Sequence, residues 1–241
     1  MEKAVRYKTQ WTLSSWAVAS ALLLTMDVDA GARLDRTDAI QQFLTTSEAR
    51  LTKYEAVRTL TAEARGGSMH ARLTAMTSLD PERGFEYSVI DEEGSGVIRK
   101  HVLHAALEAE QRIVARREGE RGALTVDNYD FDAAAGAVPD EAGELVRIAM
   151  HPRRRDTMLV DGAIYLSAAD GDLVRVEGLL VKRPSFWTRR VEVGRHYARV
   201  AGVRVPIRLQ SKANVLVAGT STFTMTYDYR SINGQRVDGT D

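Results

Sequence analysis

The sequence predicts an α+β domain, with two helices set against one antiparallel sheet, and three observations carry that fold class. Two stretches, one opening at Asp38 and one from about Val97 to Arg117, repeat their apolar residues at helical spacing. Three runs between Val57 and Ile90 alternate with period two. Everything after Glu144 breaks into runs of roughly 8 to 12 residues separated by turn dipeptides, the spacing of an antiparallel meander.

The front of the chain fixes a compartment before it fixes a shape. Lys3, Arg6 and Lys8 precede an apolar run from Trp11 to Met26, and small residues follow at Ala30-Gly31-Ala32. That order of charge, short apolar core and small-residue site is expected of a secretory signal peptide over residues 1–32, with the mature chain beginning near Arg33. An uncleaved anchor is the alternative. However, the run carries Thr12, Ser14, Ser15 and Ser20 and falls short of the roughly 20 apolar residues that span a bilayer. With no Cys there is no disulfide and no lipidation site, so a single soluble exported domain over 33–241 is expected, held by its core alone. Cleavage would remove three basic and three acidic residues, and the net charge stays at zero. No global field then draws the protein to nucleic acid.

In the first helix, Ile40, Phe43, Leu44 and Leu51 form a stripe, and Asp38 with Gln41 resembles a capping box. Strands follow at Val57–Ala64, His70–Leu79 and Phe85–Ile90, with Gly66-Gly67 and residues 80–84 as turns. At 100° per residue the second helix has two apolar sides. Ile98, Val102, Ala105, Ala109 and Ile113 fall on one, and Leu103, Leu107 and Val114 fall nearly opposite. Two apolar faces call for two apolar neighbours, so this helix is expected either to lie between layers or to cover the mouth of a cavity. Residues 118–144 read as a connector in which only Asn128–Phe131 resembles a strand.

Beyond Glu144, turns are expected at Asp161-Gly162, Asp170-Gly171, Ala201-Gly202 and Ala218-Gly219. Val203, Val205, Ile207 and Leu209 should face inward against Arg204, Arg208 and Gln210, and Phe223, Met225 and Tyr227 inward against Thr222, Thr224 and Thr226. Pro206 cannot donate to a ladder and marks an edge or a bulge.

The block Asp170–Gly178, with Pro184-Ser185-Phe186-Trp187, Gly202–Ile207 and Ser221–Tyr227, resembles the C-terminal half of the LolA/LolB-like superfamily of lipoprotein-sorting proteins, mainly over residues 145–234. The resemblance implies a strongly curved antiparallel sheet, an unclosed β-barrel, with helices covering a concave apolar face that holds acyl chains. It transfers no individual residue. The absence of a lipoprotein Cys departs from the anchored receptor members.

Chemistry-bearing clusters are sparse. His101, His104 and Glu108 share one side of the second helix and offer a partial zinc set, with a solvated helix face as the bland alternative. His151 beside Arg153-Arg154-Arg155 offers a headgroup patch, although charge runs at strand ends are usually solvated. There is no G-x-S-x-G and no phosphate loop. The expectation is therefore a non-enzymatic periplasmic carrier of a lipid, lipoprotein acyl chain or other amphiphile, with no catalytic residue, metal or cofactor. Its apolar cavity would be lined by Leu103, Leu107, Val203, Val205, Ile207, Leu209, Phe223, Met225 and Tyr227. A monomer is expected, with an envelope protein partner and transient membrane contact allowed and nucleic acid excluded. The competing class is an envelope scaffold whose core is filled.

Overall fold

The computed structural model describes residues 33–133, 144–182, 188–215 and 219–237, with the side chains of Thr188, Arg189 and Val215 left aside. The expected signal peptide, the Pro184–Trp187 motif and Ala218 lie outside the described residues.

Helix α1 spans Arg36–Thr45 and starts earlier than its pattern suggests, because Asp35 rather than Asp38 caps it: the Asp35 carboxylate accepts from the Asp38 N–H at 2.9 Å. Ala39 and Ile40 are buried, and Leu44 is exposed. Leu51 lies beyond the helix and packs against a different part of the core from Ile40, so the expected four-residue stripe is corrected to its first half. The three-strand meander forms as expected, with β1 at Tyr54–Ala64, β2 at Met69–Asp80 and β3 at Gly84–Gly94.

Helix α2 runs from Gly96 to Ala115 but is not uniform: Gly96–Ile98 and Ala105–Ala115 are α-helical, while Arg99–His104 is π-helical. A π turn advances each residue by less than an α turn, which swings Leu103 onto the side of Ile98 instead of away from it. Ile98, Leu103 and Leu107 consequently share one buried side, and the two-sided helix inferred from a constant 100° step is corrected to a helix with one deeply buried stripe. Val102, Ala105, Ala109 and Ile113 are only half-buried.

After a 3₁₀ turn at Gly119–Gly122 come β4 (Tyr129–Asp132), β5 (Leu145–Pro152), β6 (Val160–Ser167), β7 (Leu173–Leu180), β8 (Thr188–Val200), β9 (Val203–Val215), β10 (Gly219–Ile232) and a short β11 (Gln235–Arg236). All pair antiparallel in one sheet of order β3-β2-β1-β10-β9-β8-β7-β6-β5-β4, with β11 beside β10. The sheet is strongly curved and unclosed, since β3 and β4 are its two free edges and do not pair. The chain must cross from one edge to the other between β3 and β4, and α2 is that crossing; this is why a helix lies over one face of the sheet.

Two core clusters form against that face. One joins Leu60, Leu73, Phe85 and Met225 of β1, β2, β3 and β10 with Leu103 and Leu107 of α2. The other joins Ile148, Met150, Ile164 and Leu166 of β5 and β6 with Ala39 and Ile40 of α1. Each fully buried Leu or Ile contributes roughly 1.5–3 kcal/mol of transfer free energy, so each helix is anchored by the cluster it covers.

Three expectations about the second half change. Asp161-Gly162 is not a turn, because both residues lie within β6 with Gly162 opposite Gly178 of β7. A Cβ added at Gly162 would stand 2.1 Å from the Glu177 carbonyl oxygen, so the glycine serves a close strand approach rather than a reversal. Ile207 does not join the inward set. The β8–β9 pairing steps from His196↔Arg208 to Tyr197↔Pro206, leaving Ile207 as the unpaired residue of a bulge at the proline, with 36% of its surface exposed. Arg204, assigned to the wet face, is instead drawn inside by Glu48 and Asp172. On β10 the alternation holds except at Thr224, with Met225 and Tyr229 buried, Phe223 and Tyr227 half-buried, Thr222, Thr226 and Asp228 exposed, and Thr224, expected on the wet face, half-buried as well.

Candidate functional site

Helix α2 packs on β1–β3 and α1 on β5–β6, and neither lies over the middle of β8 and β9. Between the two covered regions remains a cavity of about 800 Å³. The sheet contributes Leu173 of β7, Val191 and Val193 of β8, Leu209 of β9 and Phe223 of β10. Phe43 comes from α1, Ile113 from α2, and Leu124 and Met158 from the loops that close the side. A smaller space of about 40 Å³ continues beside it toward Tyr129 and Val176. The Tyr129 hydroxyl there accepts from the Val160 N–H at 3.2 Å. A second groove of about 470 Å³ over β7–β10 shares Val193, Ser211 and Phe223 with the cavity but is otherwise lined with Glu177, Arg190, Glu192 and Lys212, a poor surface for an alkyl chain.

Of the nine residues singled out from sequence, Leu209 and Phe223 line the cavity. Val203, Val205, Met225, Leu103 and Leu107 are buried in the core around α2, and Tyr227 packs at its margin. Burial raises the Tyr227 phenol above its ordinary value. Ile207 stands outside with the bulge.

Three arginines bring charge inward, and the sequence pattern alone did not single them out. Arg58 occupies an inward position of β1 between Ala56 and Leu60, with a side chain 2% exposed. Its guanidinium donates to Glu110 of α2 at 2.6 and 2.9 Å and to the Tyr54 hydroxyl, and lies 4.5 Å from the Tyr227 ring and 5.1 Å from the Phe85 ring. Burial works against its charge, but the Glu110 hydrogen bonds and field outweigh that and hold its pKa above the ordinary value. Arg204 stacks on Phe43 at 5.1 Å and pairs with Asp172 at 2.7 Å and with Glu48. Arg195 of β8 lines the cavity but, unlike the other two, is exposed, and its Nη1 lies 3.5 Å from the Tyr197 hydroxyl. Its signal was present in Val191-Glu192-Val193-Gly194-Arg195-His196-Tyr197, where a cation occupies an otherwise apolar alternate position.

The other candidate clusters resolve into local ion pairs. His104 Nε2 meets Glu92 at 2.8 Å, and Arg99 meets the same carboxylate at 2.6 Å; these contacts hold the Glu92 carboxyl below its ordinary range. Glu108 pairs with Arg112 at 3.7 Å and His101 is exposed, so among the described residues no group of His, Asp and Glu has metal-ligand spacing. In the basic run, His151 pairs with Asp161 and Arg153 with Asp130, while Arg154 donates to Asn128 and to the Arg121 carbonyl. Asp156, held low by the Met158 N–H and Arg121, completes a largely neutralised patch. No described helix is long and apolar enough to cross a membrane.

No family model matches the chain, and no curated protein matches it. Among solved structures, a LolA superfamily protein from Nitrosomonas europaea is similar at 9% identity with a TM-score of 0.40, over 86% of this chain and 96% of that one. A DUF1329 family protein from Desulfovibrio piger is similar at 9% identity with a TM-score of 0.36, over 80% of this chain and 88% of that one. At that level neither likeness speaks to ligand or partner.

Proposed function

We propose that this protein is an exported, non-catalytic binding protein for an amphiphile, a lipid or lipoprotein acyl chain, whose alkyl portion occupies the cavity between α1, α2 and strands β7–β10. One observation carries the reading: an open cleft of about 800 Å³ over strands β7–β10, bordered chiefly by aliphatic and aromatic side chains. That volume falls in the range of about 300–1,000 Å³ typical of ligand sites. Each methylene moved from water into it gains about 0.8 kcal/mol, so a dozen carbons supply roughly 10 kcal/mol before the costs of association. A scaffold with a filled core would have no use for such space.

Uptake in this reading does not require α2 to leave. Leu103 and Leu107 are fully buried and Glu110 is tied to Arg58, so α2 is a fixed wall that offers Ile113 to the ligand. The test is native mass spectrometry of the full chain isolated from its own envelope, with displacement of a fluorescent fatty acid as a second readout. A retained lipid and displacement by long-chain alkyl ligands are expected. Protein that is free of lipid and takes up no alkyl ligand would return the scaffold reading.

A further inference from the structure

We infer that Arg195 is the anchor for an anionic head group, so that the amphiphile carries a carboxylate or phosphate held inside the cavity by this guanidinium; the inference rests on the reading above. Arginine cannot shed its charge under ordinary conditions, and on the wall of an apolar cleft it offers a bound chain a fixed cation with which an anionic end can pair. The other two inward arginines are well covered and already paired within the protein: Arg58 has Glu110, and Arg204 has Glu48 and Asp172. Arg195 differs. Among the described residues no carboxylate forms an ion pair with it, and its one hydrogen bond is the long contact to the Tyr197 hydroxyl. Glu110 acts on it from a distance but is committed to Arg58.

Position completes the case. Arg195 sits at an inward step of β8 between Val193 and Tyr197, directly opposite Leu209 of β9, and it borders both the large cavity and its narrow continuation. Arg195 is exposed, and the open cavity is the space its side chain borders. A guanidinium offers five donors in a planar fork that matches the two oxygens of a carboxylate or phosphate, and the Tyr197 and Ser211 hydroxyls on the same lining add neutral donors. A largely apolar, open cleft with one unmatched fork in its wall selects a chain with one anionic end.

The test compares ligands of one chain length. Dodecanoate, dodecyl phosphate and dodecanol are titrated against the full chain, with inorganic phosphate alone as a fourth arm, and then against Arg195→Gln and Arg195→Lys. In the wild type at least one anionic ligand should bind about tenfold to a hundredfold more tightly than dodecanol, and the tighter of the two identifies carboxylate or phosphate as the head group. Arg195→Gln should erase that advantage, bringing the anionic ligands level with dodecanol, and Arg195→Lys should restore part of it. Inorganic phosphate that binds the wild type as tightly as dodecyl phosphate would overturn the amphiphile anchor in favour of a free-anion site. Equal affinity of dodecanol and both anions for the wild type, or an anionic advantage that survives in Arg195→Gln, overturns the inference while leaving the alkyl cavity standing. Failure of all three dodecyl ligands overturns the amphiphile reading itself.

Discussion

Removing Glu110 should injure this protein more than removing the better-buried Arg58. Arg58 is 2% exposed and Glu110 32% exposed, and their two hydrogen bonds fasten α2 to β1. In Glu110→Gln the guanidinium keeps its charge but loses its counterion in a place water scarcely reaches. Breaking a buried pair from one side costs about 3–5 kcal/mol, and the partial exposure of Glu110 reduces that to about 2–3 kcal/mol here. In Arg58→Met the buried charge disappears, a flexible apolar side chain takes its place among Tyr54, Phe85 and Tyr227, and Glu110 can turn to water, so about 1 kcal/mol is expected. The double variant should resemble Arg58→Met. Urea unfolding followed by circular dichroism measures all four proteins, with an unchanged slope confirming that stability alone has moved. The Glu110→Gln melting temperature should fall by about 4–10 °C. A loss below about 0.5 kcal/mol in Glu110→Gln, or a greater loss in Arg58→Met than in Glu110→Gln, would refute the reasoning.

Leu103→Ala should cost about 2–5 kcal/mol in the same assay, since its side chain is fully buried where the π turn delivers it; a cost under about 1 kcal/mol would show that the helix face is not packed as described. Asp172 gives a pH signature: burial pushes its carboxyl up, but hydrogen bonds from Arg199 and Arg204 outweigh that and hold it below the ordinary value of about 3.9. A depressed folded pKa stabilises the protein above the unfolded value, and that contribution is lost as pH falls through the folded one. Asp172→Asn should therefore be less stable than wild type at pH 7 and show a flatter decline below about pH 4; an identical acid slope in urea titrations at several pH values would contradict the assignment.

The sequence by itself determined the elements whose signal is local. Alternation at Phe223, Met225 and Tyr227 set the face of β10 because one side of that strand is buried along its length, and Ala201-Gly202 marked a hairpin because two successive residues there take positive φ. It also showed that a helix crosses between two meanders, from which the antiparallel sheet follows. Tertiary structure decided the rest. A constant 100° step could not anticipate the π turn, whose phase shift gathers Ile98, Leu103 and Leu107 on one side. Period two could not anticipate the bulge that drops Ile207, nor that Gly162 is small because Gly178 crosses close by rather than because the chain turns. The cavity is the extreme case. It exists because α1 covers β5–β6, α2 covers β1–β3, and β8 and β9 lie between them. No residue encodes an unfilled volume, and Arg195 becomes a candidate anchor only once that volume lies in front of it. Periodicity reports which side of a strand or helix is buried; what lies opposite is set by the curvature of the whole sheet.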